Sequence, residues 1–576
     1  MEIKRIGVYI CWCGTNIAKM VDVEAVCQEI SELPDVVIAR NYKYMCSDPG
    51  QDLIKQDIKE HQLNRVVVAA CSPRIHEITF RKALASAGLN PYMFEMANIR
   101  EQVSWVHTNR EEATRKAKTL VAAAINKVKW HESLEKRSVE INPGTLIIGG
   151  GISGISAALD IADAGKQVYL IERKERLGGQ VARIDLTYPD LYSGQQLIQS
   201  RIEELKNHSK IEVLLNSEIK DITGYIGNFE AKVSRNGDKE VELSFGNIIV
   251  ATGLKSFDAE QIELYQYGKL PNVITSFELE EMLLKGDISK KDGTIPENVV
   301  ILHCVGSRNK DYHEYCSRTC CMTALKYSNQ LRSAIPKANI FQVYADMRAI
   351  GKNCEEMYTN TSRKGVMFLM FDQKNGMPKV RQADPGDECE MLVELEEKLS
   401  GEAIEVPADM VVLMVGMEAH ENAKDIGRLT GVSMCGNQFY IEKHPKLDPV
   451  ATTTDGVYVV GTCQAPKGIA DSIAQARAAA ARVLATINVG SVEVEMTTAV
   501  VNEDICCGCQ TCVKVCPYTA ITFDEEKKVS VVNEILCKGC GTCGSTCPTG
   551  AIRSRHFTDQ QILSQIEGLM SMQKKL

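Results

Sequence analysis

Residues 145–154 read Thr-Leu-Ile-Ile-Gly-Gly-Gly-Ile-Ser-Gly, an apolar strand that breaks into Gly149-x-Gly151-x-x-Gly154. A helix-forming run follows over 155–164, stopped by Gly165, and a second strand over 167–171 ends in Glu172. This strand–turn–helix–strand–acid order is the dinucleotide-binding fingerprint. Gly149 permits the tight turn, Gly151 lets backbone reach a pyrophosphate, and Gly154 lets helix pack on strand. Ser153 lies in the same first turn. The phosphates face the positive end of the helix dipole. Glu172, 18 residues past Gly154, is placed to accept from a ribose hydroxyl, with Arg173 beside it. The alternative is a glycine-rich turn that binds nothing.

Three further segments select FAD: Leu177-Gly178-Gly179-Gln180, Ala251-Thr252-Gly253 after the strand 247–250, and 456–461 ending in Gly461. They resemble the FAD domain of the disulfide reductase flavoproteins that bind two dinucleotides, the thioredoxin-reductase-like fold. The resemblance implies an α/β chain whose Rossmann-type FAD domain is split, 144–258 and 421–490, around an inserted second nucleotide-binding-like domain at 259–420. That inserted domain departs from its pattern. Its strand 298–302 runs into His303-Cys304-Val305-Gly306-Ser307-Arg308, with one glycine where three belong. Direct NAD(P)H binding is therefore not expected, and the reductase CxxC dithiol is absent as well. Something else must feed and drain such a flavin.

Near the C-terminus, Cys506-x2-Cys509-x2-Cys512-x3-Cys516 recurs as Cys537-x2-Cys540-x2-Cys543-x3-Cys547, each followed by proline. This is the pattern of an α+β ferredoxin domain, 491–576, with two [4Fe–4S] clusters. The fourth cysteine of each run serves the other cluster. The expected sets are Cys506, Cys509, Cys512 and Cys547, and Cys537, Cys540, Cys543 and Cys516. Zinc knuckles or disulfides are the weaker alternatives.

The 576 residues suggest about three or four domains. An apolar content of 44% and a charged content of 24% suit globular protein with sizeable cores. A net charge of −9 argues against a nucleic-acid partner. No apolar run is long enough to span a bilayer, and the first ten residues lack a signal-peptide layout. Twenty-two cysteines without an export signal indicate metal ligation or redox chemistry. The expected location is cytoplasmic.

Residues 1–143 read as a small α/β domain with strands at 5–10, 36–39, 65–69 and, more weakly, 92–96. Its helices are expected at 23–33, 52–60, 77–87 and 111–129. Cys11 and Cys13 follow the first strand, Cys46 the second and Cys71 the third, so all four can meet at one sheet edge. The two readings are a third [4Fe–4S] cluster and spare thiols at strand ends. A second group, Cys304, Cys316, Cys320 and Cys321, lies where the missing nucleotide turn would be, before an expected helix at 323–332. A fourth cluster, a vicinal disulfide and inert thiols are its alternatives. Cys27, Cys354, Cys389, Cys435 and Cys507 read as ordinary thiols. Lys467, in the loop 461–468 with Cys463, is a candidate catalytic charge near flavin N5, or else a solvated lysine.

The segments 13–18, 42–50, 66–74, 315–322 and 461–467, with the doubled ferredoxin pattern, resemble the flavin-carrying, A-type subunit of heterodisulfide reductase. That resemblance implies an FAD- and iron–sulfur-containing oxidoreductase subunit of an anaerobic complex performing electron bifurcation or confurcation. Its implied partners are subunits of B and C type, ferredoxin, and a hydrogenase, formate dehydrogenase or NADH-oxidising input module; a homodimer is compatible with it. A non-bifurcating relay to a benzoyl-CoA reductase-like or quinone-linked complex is the alternative. Longer members insert an extra ferredoxin domain in the first half of the flavin domain; here 180–251 contains no cysteine.

Overall fold

The computed structural model describes residues 3–573 except 136, 238 and 495, and omits the side chains of 75, 572 and 573. The chain divides into two compact units, one of residues 1–138 with 493–576, the other of residues 139–492.

The first unit is built on four parallel strands: β1 (Ile6–Cys11), β2 (Val36–Tyr42), β3 (Arg65–Ala70) and β4 (Phe94–Asn98), in the order β2-β1-β3-β4. β1 and β3 are buried along their whole length, as central parallel strands covered by helices must be. Helices Val23–Ser31 and Arg110–Val128 cover the sheet. Each is capped at its N-terminus, by Asp22 accepting from Ala25 N and by Asn109 accepting from Glu111 N and Glu112 N. Two other helices begin about four residues earlier than the sequence suggests, at Asp48 and at Pro73. In both a proline occupies the first turn, where its missing N–H costs no hydrogen bond.

The C-terminal part of this unit pairs Ala499–Val501 with Ile552–Ser554 and Ile521–Asp524 with Val529–Val532, both antiparallel. A final helix, Asp559–Gln573, lies on Arg110–Val128. Contact is close enough that a Cβ on Gly568 would stand 2.7 Å from Ala122 O. Beside it the His556 ring stacks on His131 at 4.1 Å, and Gln561 Nε2 donates to Trp130 O at 3.0 Å.

The second unit holds two parallel sheets. One orders Val457–Val459, Asn247–Val250, Thr145–Ile148, Val168–Ile171 and Ile211–Leu214; the other orders Val273–Thr275, Met410–Val415, Asn298–Val305, Asn339–Tyr344 and Met367–Met370. Each carries a three-stranded antiparallel sheet alongside. Leu254–Ser256 and Met417–Ala419 pair antiparallel where the chain leaves the first sheet and returns to it. The second layer is thus an insertion into the first.

An ion pair is sealed between Glu280 and Lys326, whose side chains are 3% and 2% exposed, with Nζ 2.7 and 2.8 Å from the two carboxylate oxygens. Breaking such a pair leaves one buried charge uncompensated. Lys326→Met should lower stability by about 3–5 kcal/mol, seen as a lower urea midpoint by circular dichroism. Adding Glu280→Gln should recover part of that loss.

Candidate functional site

The glycine turn after Thr145–Ile148 is built by contact distance. A Cβ on Gly149 (φ +114°) would stand 2.3 Å from Ala251 O, and one on Gly154 1.9 Å from Gly149 O. Neither position can carry a side chain. Gly151 differs: a Cβ there would meet only Gly179 Cα, at 3.9 Å. Gly151 is also the N-cap of the helix Ile152–Asp163, with no side chain capping it. An open cradle thus faces helix N–H groups that the protein leaves available, which suits a pyrophosphate.

The remaining predicted residues gather round this cradle. Gly178 N donates to Gly150 O at 2.8 Å, folding Gly179 and Gln180 back over the turn. Gln180 Oε1 is buried with no hydrogen-bond partner among the described residues. The Glu172 carboxylate accepts from Gly150 N at 2.8 Å and Lys174 N at 2.9 Å, which fixes it while leaving lone pairs for a ribose. Arg173 turns to His420 Nε2, 2.6 Å away, and Glu421. Ala251 N donates to Ile148 O at 2.8 Å, and Gly253 has nothing within 4 Å of a Cβ position, so Thr252 sits in an open-sided turn. Gly461 (φ +74°) stacks on Ser153, whose Oγ would lie 2.3 Å from a Cβ. The open cradle and the orphaned amide oxygen fit a dinucleotide.

Lys467 lies in the same loop and is 7% exposed. Its ammonium donates to Gly461 O at 2.6 Å, Gln464 Oε1 at 2.8 Å and Ala465 O at 2.9 Å. Burial lowers its pKa to about 8, against the opposing charge of Cys463. It is a desolvated, positioned cation, with all three donors used inside its own loop.

The four N-terminal cysteines come together at the carboxyl edge of β1, β2 and β3. Cys13 N donates to Cys11 Sγ at 3.3 Å, and Met45 N, next to Cys46, donates to the same sulfur at 3.5 Å. Burial raises the Cys11, Cys46 and Cys71 thiols, Cys71 to about 12. Metal loading would have to displace these protons. Cys27 stands apart, on the helix Val23–Ser31.

Cys304, Cys316, Cys320 and Cys321 form the second group. Cys304 lies in the strand Asn298–Val305 with φ +62°, and Arg308 and Arg318 are also left-handed, at φ +56° and +62°. Such strained residues concentrate where a site dictates the backbone. The following helix begins at Cys320 rather than at 323, so Cys320 and Cys321 occupy its first turn. Burial raises Cys304 to about 12 and raises Cys320 and Cys321 as well. The would-be nucleotide turn is closed: a Cβ on Gly306 would lie 2.2 Å from the ring of Phe257. Meanwhile the Cys316–Cys321 segment reaches the flavin loop, Arg318 donating to Pro466 O at 3.5 Å and to Asp471 at 3.1 Å. Tyr188 bridges the same gap, its hydroxyl 3.0 Å from a Cβ on Gly468 and its ring packed with Met322.

In the ferredoxin part, Cys516, Cys537, Cys540 and Cys543 line one cavity, the expected grouping across the two runs. Ala499 N donates to Cys537 Sγ and Ala520 N to Cys516 Sγ, both at 3.3 Å. Cys512, of the other set with Cys506, Cys509 and Cys547, lies 3.1 Å from the buried hydroxyl of Ser530. Among the described residues no three cysteine sulfurs lie within 4.8 Å of one another.

Sequence reasoning missed the cations beside the thiols. Arg100 Nη1 is 3.3 Å from Cys13 Sγ, and Arg308 and Arg348, held by Asp346 at 2.8 and 3.1 Å, stand by the second group. No local motif marks Arg100 or Arg348, because each reaches its cysteine from another strand end; Arg308 follows the same strand as Cys304.

Gly151 offers a clean test, since the protein itself tolerates a side chain there. Gly151→Val should leave circular dichroism unchanged and cut bound flavin about tenfold or more, a loss of roughly 1.4 kcal/mol or greater. Gly154→Ala should instead disrupt the turn, lowering thermal stability together with flavin content.

Comparison with known proteins agrees with this reading. The pyridine nucleotide-disulphide oxidoreductase family matches residues 143–295, and the 4Fe-4S dicluster domain matches residues 499–554. The chain is 39% identical to one of the CoB–CoM heterodisulfide reductase iron-sulfur A subunits of Methanopyrus kandleri, over 98% of each chain. It is 38% identical to the A subunit of the H2:CoB-CoM heterodisulfide,ferredoxin reductase of Methanothermobacter thermautotrophicus, over 100% of this chain and 99% of that one. It is 36% identical to the A subunit of the H2/formate:CoB-CoM heterodisulfide,ferredoxin reductase of Methanococcus maripaludis over the whole of both. A solved thioredoxin reductase from T. acidophilum, 17% identical, aligns with a TM-score of 0.41 over 60% of this chain and 99% of its own. With its flavoprotein fold and dicluster ferredoxin part, the chain is an FAD- and iron–sulfur-containing oxidoreductase that belongs to the family of heterodisulfide reductase A-type subunits.

Proposed function

We propose that this chain is the electron-branching subunit of a heterodisulfide-reductase-like complex, splitting or merging electron pairs between a donor module, ferredoxin and a second acceptor. The observation that carries the reading is the junction in the second unit, where Arg318 and Tyr188 join the Cys316–Cys321 segment to the loop 461–471. A thiol group fit for one-electron carriers thus abuts the dinucleotide site. Phe257 fills the turn that would otherwise receive the pyrophosphate of a nicotinamide cofactor.

FAD would be held by Gly149, Gly151, Ser153, Gly154, Glu172, Arg173, Gly179, Gln180, Ala251, Thr252, Gly253 and Gly461, and when bound it supplies interchange between electron pairs and single electrons. The chain's own residues set the conditions. The glycines admit the pyrophosphate, Glu172 orients the ribose, and Lys467 places a desolvated positive charge beside the site. Two [4Fe–4S] clusters are assigned to the ferredoxin sets and one each to Cys11, Cys13, Cys46, Cys71 and to Cys304, Cys316, Cys320, Cys321.

The partners that fit are subunits of B and C type, ferredoxin and a hydrogenase, formate dehydrogenase or NADH-oxidising module. One observation favours a simpler relay, delivering ferredoxin electrons to a benzoyl-CoA reductase-like or quinone-linked complex. The alignment to the Methanopyrus kandleri relative runs 659 residues against a chain of 576, so the relative carries sequence, and with it any electron branch, that this chain lacks.

Protein purified without oxygen should contain about 16 Fe and 16 acid-labile sulfide with one FAD per chain. Cys71→Ser and Cys316→Ser should each lower that count by about four iron atoms; a wild-type count of about 8 would leave only the ferredoxin pair and return the other two groups to plain thiols. Branching itself is tested in the assembled complex. Ferredoxin reduction that occurs only while the second acceptor is being reduced supports it, and ferredoxin reduction without that acceptor supports the relay.

The pKa of Lys467 yields a pH test. Its proton is lost as pH rises through about 8, removing a positive charge that favours the reduced flavin. The flavin midpoint of the wild-type chain should therefore fall more steeply with pH above 8. Lys467→Met should lack that inflection and show the lower potential already at pH 7.

A further inference from the structure

We propose that Arg100 is a positioning residue that raises the reduction potential of the cluster held by Cys11, Cys13, Cys46 and Cys71. The inference rests on the cluster assignment above, and concerns how this chain adjusts that site.

β4 ends at Asn98, on the same sheet edge as the four cysteines, and the chain then makes a single π-helical turn, Arg100–Ser104. Such turns are rare and are found frequently at functional sites. Asn98 Oδ1 accepts from both Arg100 N and Glu101 N, at 3.3 and 3.0 Å, so the two side chains leave a fixed platform. The guanidinium is then held from two sides. Nε and Nη2 donate to Glu101 Oε1 at 3.2 and 2.6 Å, and Cζ lies 4.9 Å above the Trp105 ring. What remains, Nη1, points at Cys13 Sγ from 3.3 Å. The side chain is 23% exposed, so water only partly screens it.

A [4Fe–4S] cluster on four thiolates is an anion that gains a further negative charge on one-electron reduction. A cation fixed at its edge stabilises the reduced form more than the oxidised form. Glu101 opposes this, and the question is which charge prevails. The placement decides: Glu101 Oε1 takes Nε and Nη2, while Nη1, the remaining nitrogen, stands 3.3 Å from Cys13 Sγ. One N–H of the cation is already aimed at a ligand sulfur. Hydrogen bonds to cluster sulfurs are a recognised control on potential.

The test is a reductive titration of the full chain by electron paramagnetic resonance, with iron counted in each sample. The signal missing from Cys71→Ser identifies the cluster; if Cys71→Ser loses neither iron nor a signal, the cluster assignment fails and this proposal with it. Given that signal, Arg100→Gln with full iron should lower the reduced-to-oxidised ratio at fixed potential at least tenfold, a midpoint drop of about 59 mV or more for a one-electron couple. Arg100→Lys, which keeps the charge, should restore most of the shift. Glu101→Gln should move the midpoint upward, and it decides the matter if Arg100→Gln fails to retain its iron. An unchanged midpoint in iron-replete Arg100→Gln, an Arg100→Lys drop as large as that of Arg100→Gln, or an unchanged or lower midpoint in Glu101→Gln would each overturn the proposal.

Discussion

Outside the ferredoxin part, the sites of this chain depend on parallel strands ending at a common edge. In a parallel sheet each crossover returns the chain to the side it left, so residues far apart in sequence arrive at the same line of carboxyl ends. Cys11, Cys46 and Cys71 meet because β1, β2 and β3 run together. Gly149, Glu172, Ala251 and Gly461 meet because they follow Thr145–Ile148, Val168–Ile171, Asn247–Val250 and Val457–Val459 of one sheet. Cys304 and Asp346 sit at the ends of neighbouring strands of the inserted sheet. Removing the common direction of any one sheet would scatter a site whose residues are otherwise intact.

What was legible in the sequence follows from how local each constraint is. Gly149, Gly151 and Gly154 declare themselves by spacing within one short turn; Gly154 is kept bare by the nearby Gly149 O, whereas Gly149 is kept bare by Ala251 O from a distant strand end. The ferredoxin runs are local too, marked by spacing and a following proline, and Cys516 lines one cavity with Cys537, Cys540 and Cys543. The two looser cysteine groups could be collected by strand order alone, without their geometry.

Other features were hidden because they depend on three-dimensional neighbours. Arg100 and Arg348 reach cysteines dozens of residues away, and nothing beside either arginine in sequence marks it out. The early helix starts at Asp48 and Pro73 were obscured by prolines that read as breakers but serve as first-turn residues. Lys467 was legible as a charge near the flavin loop. Its three internal hydrogen bonds were not, since two of the acceptors are main-chain carbonyls.

Phe257 against Gly306 bears on the history of the fold. The ring occupies the space that a first Cβ on Gly306 would need, while Phe257 itself is buried in the inserted layer's core. Trimming the ring would open a cavity costing about 3–5 kcal/mol, and enlarging Gly306 first would collide with it. Cys304, committed to its own cluster of thiols, stands two residues away. Opening that turn to a nucleotide would therefore require changes at both Phe257 and Gly306. Any change in the use of that turn has to begin in the inserted layer's own core.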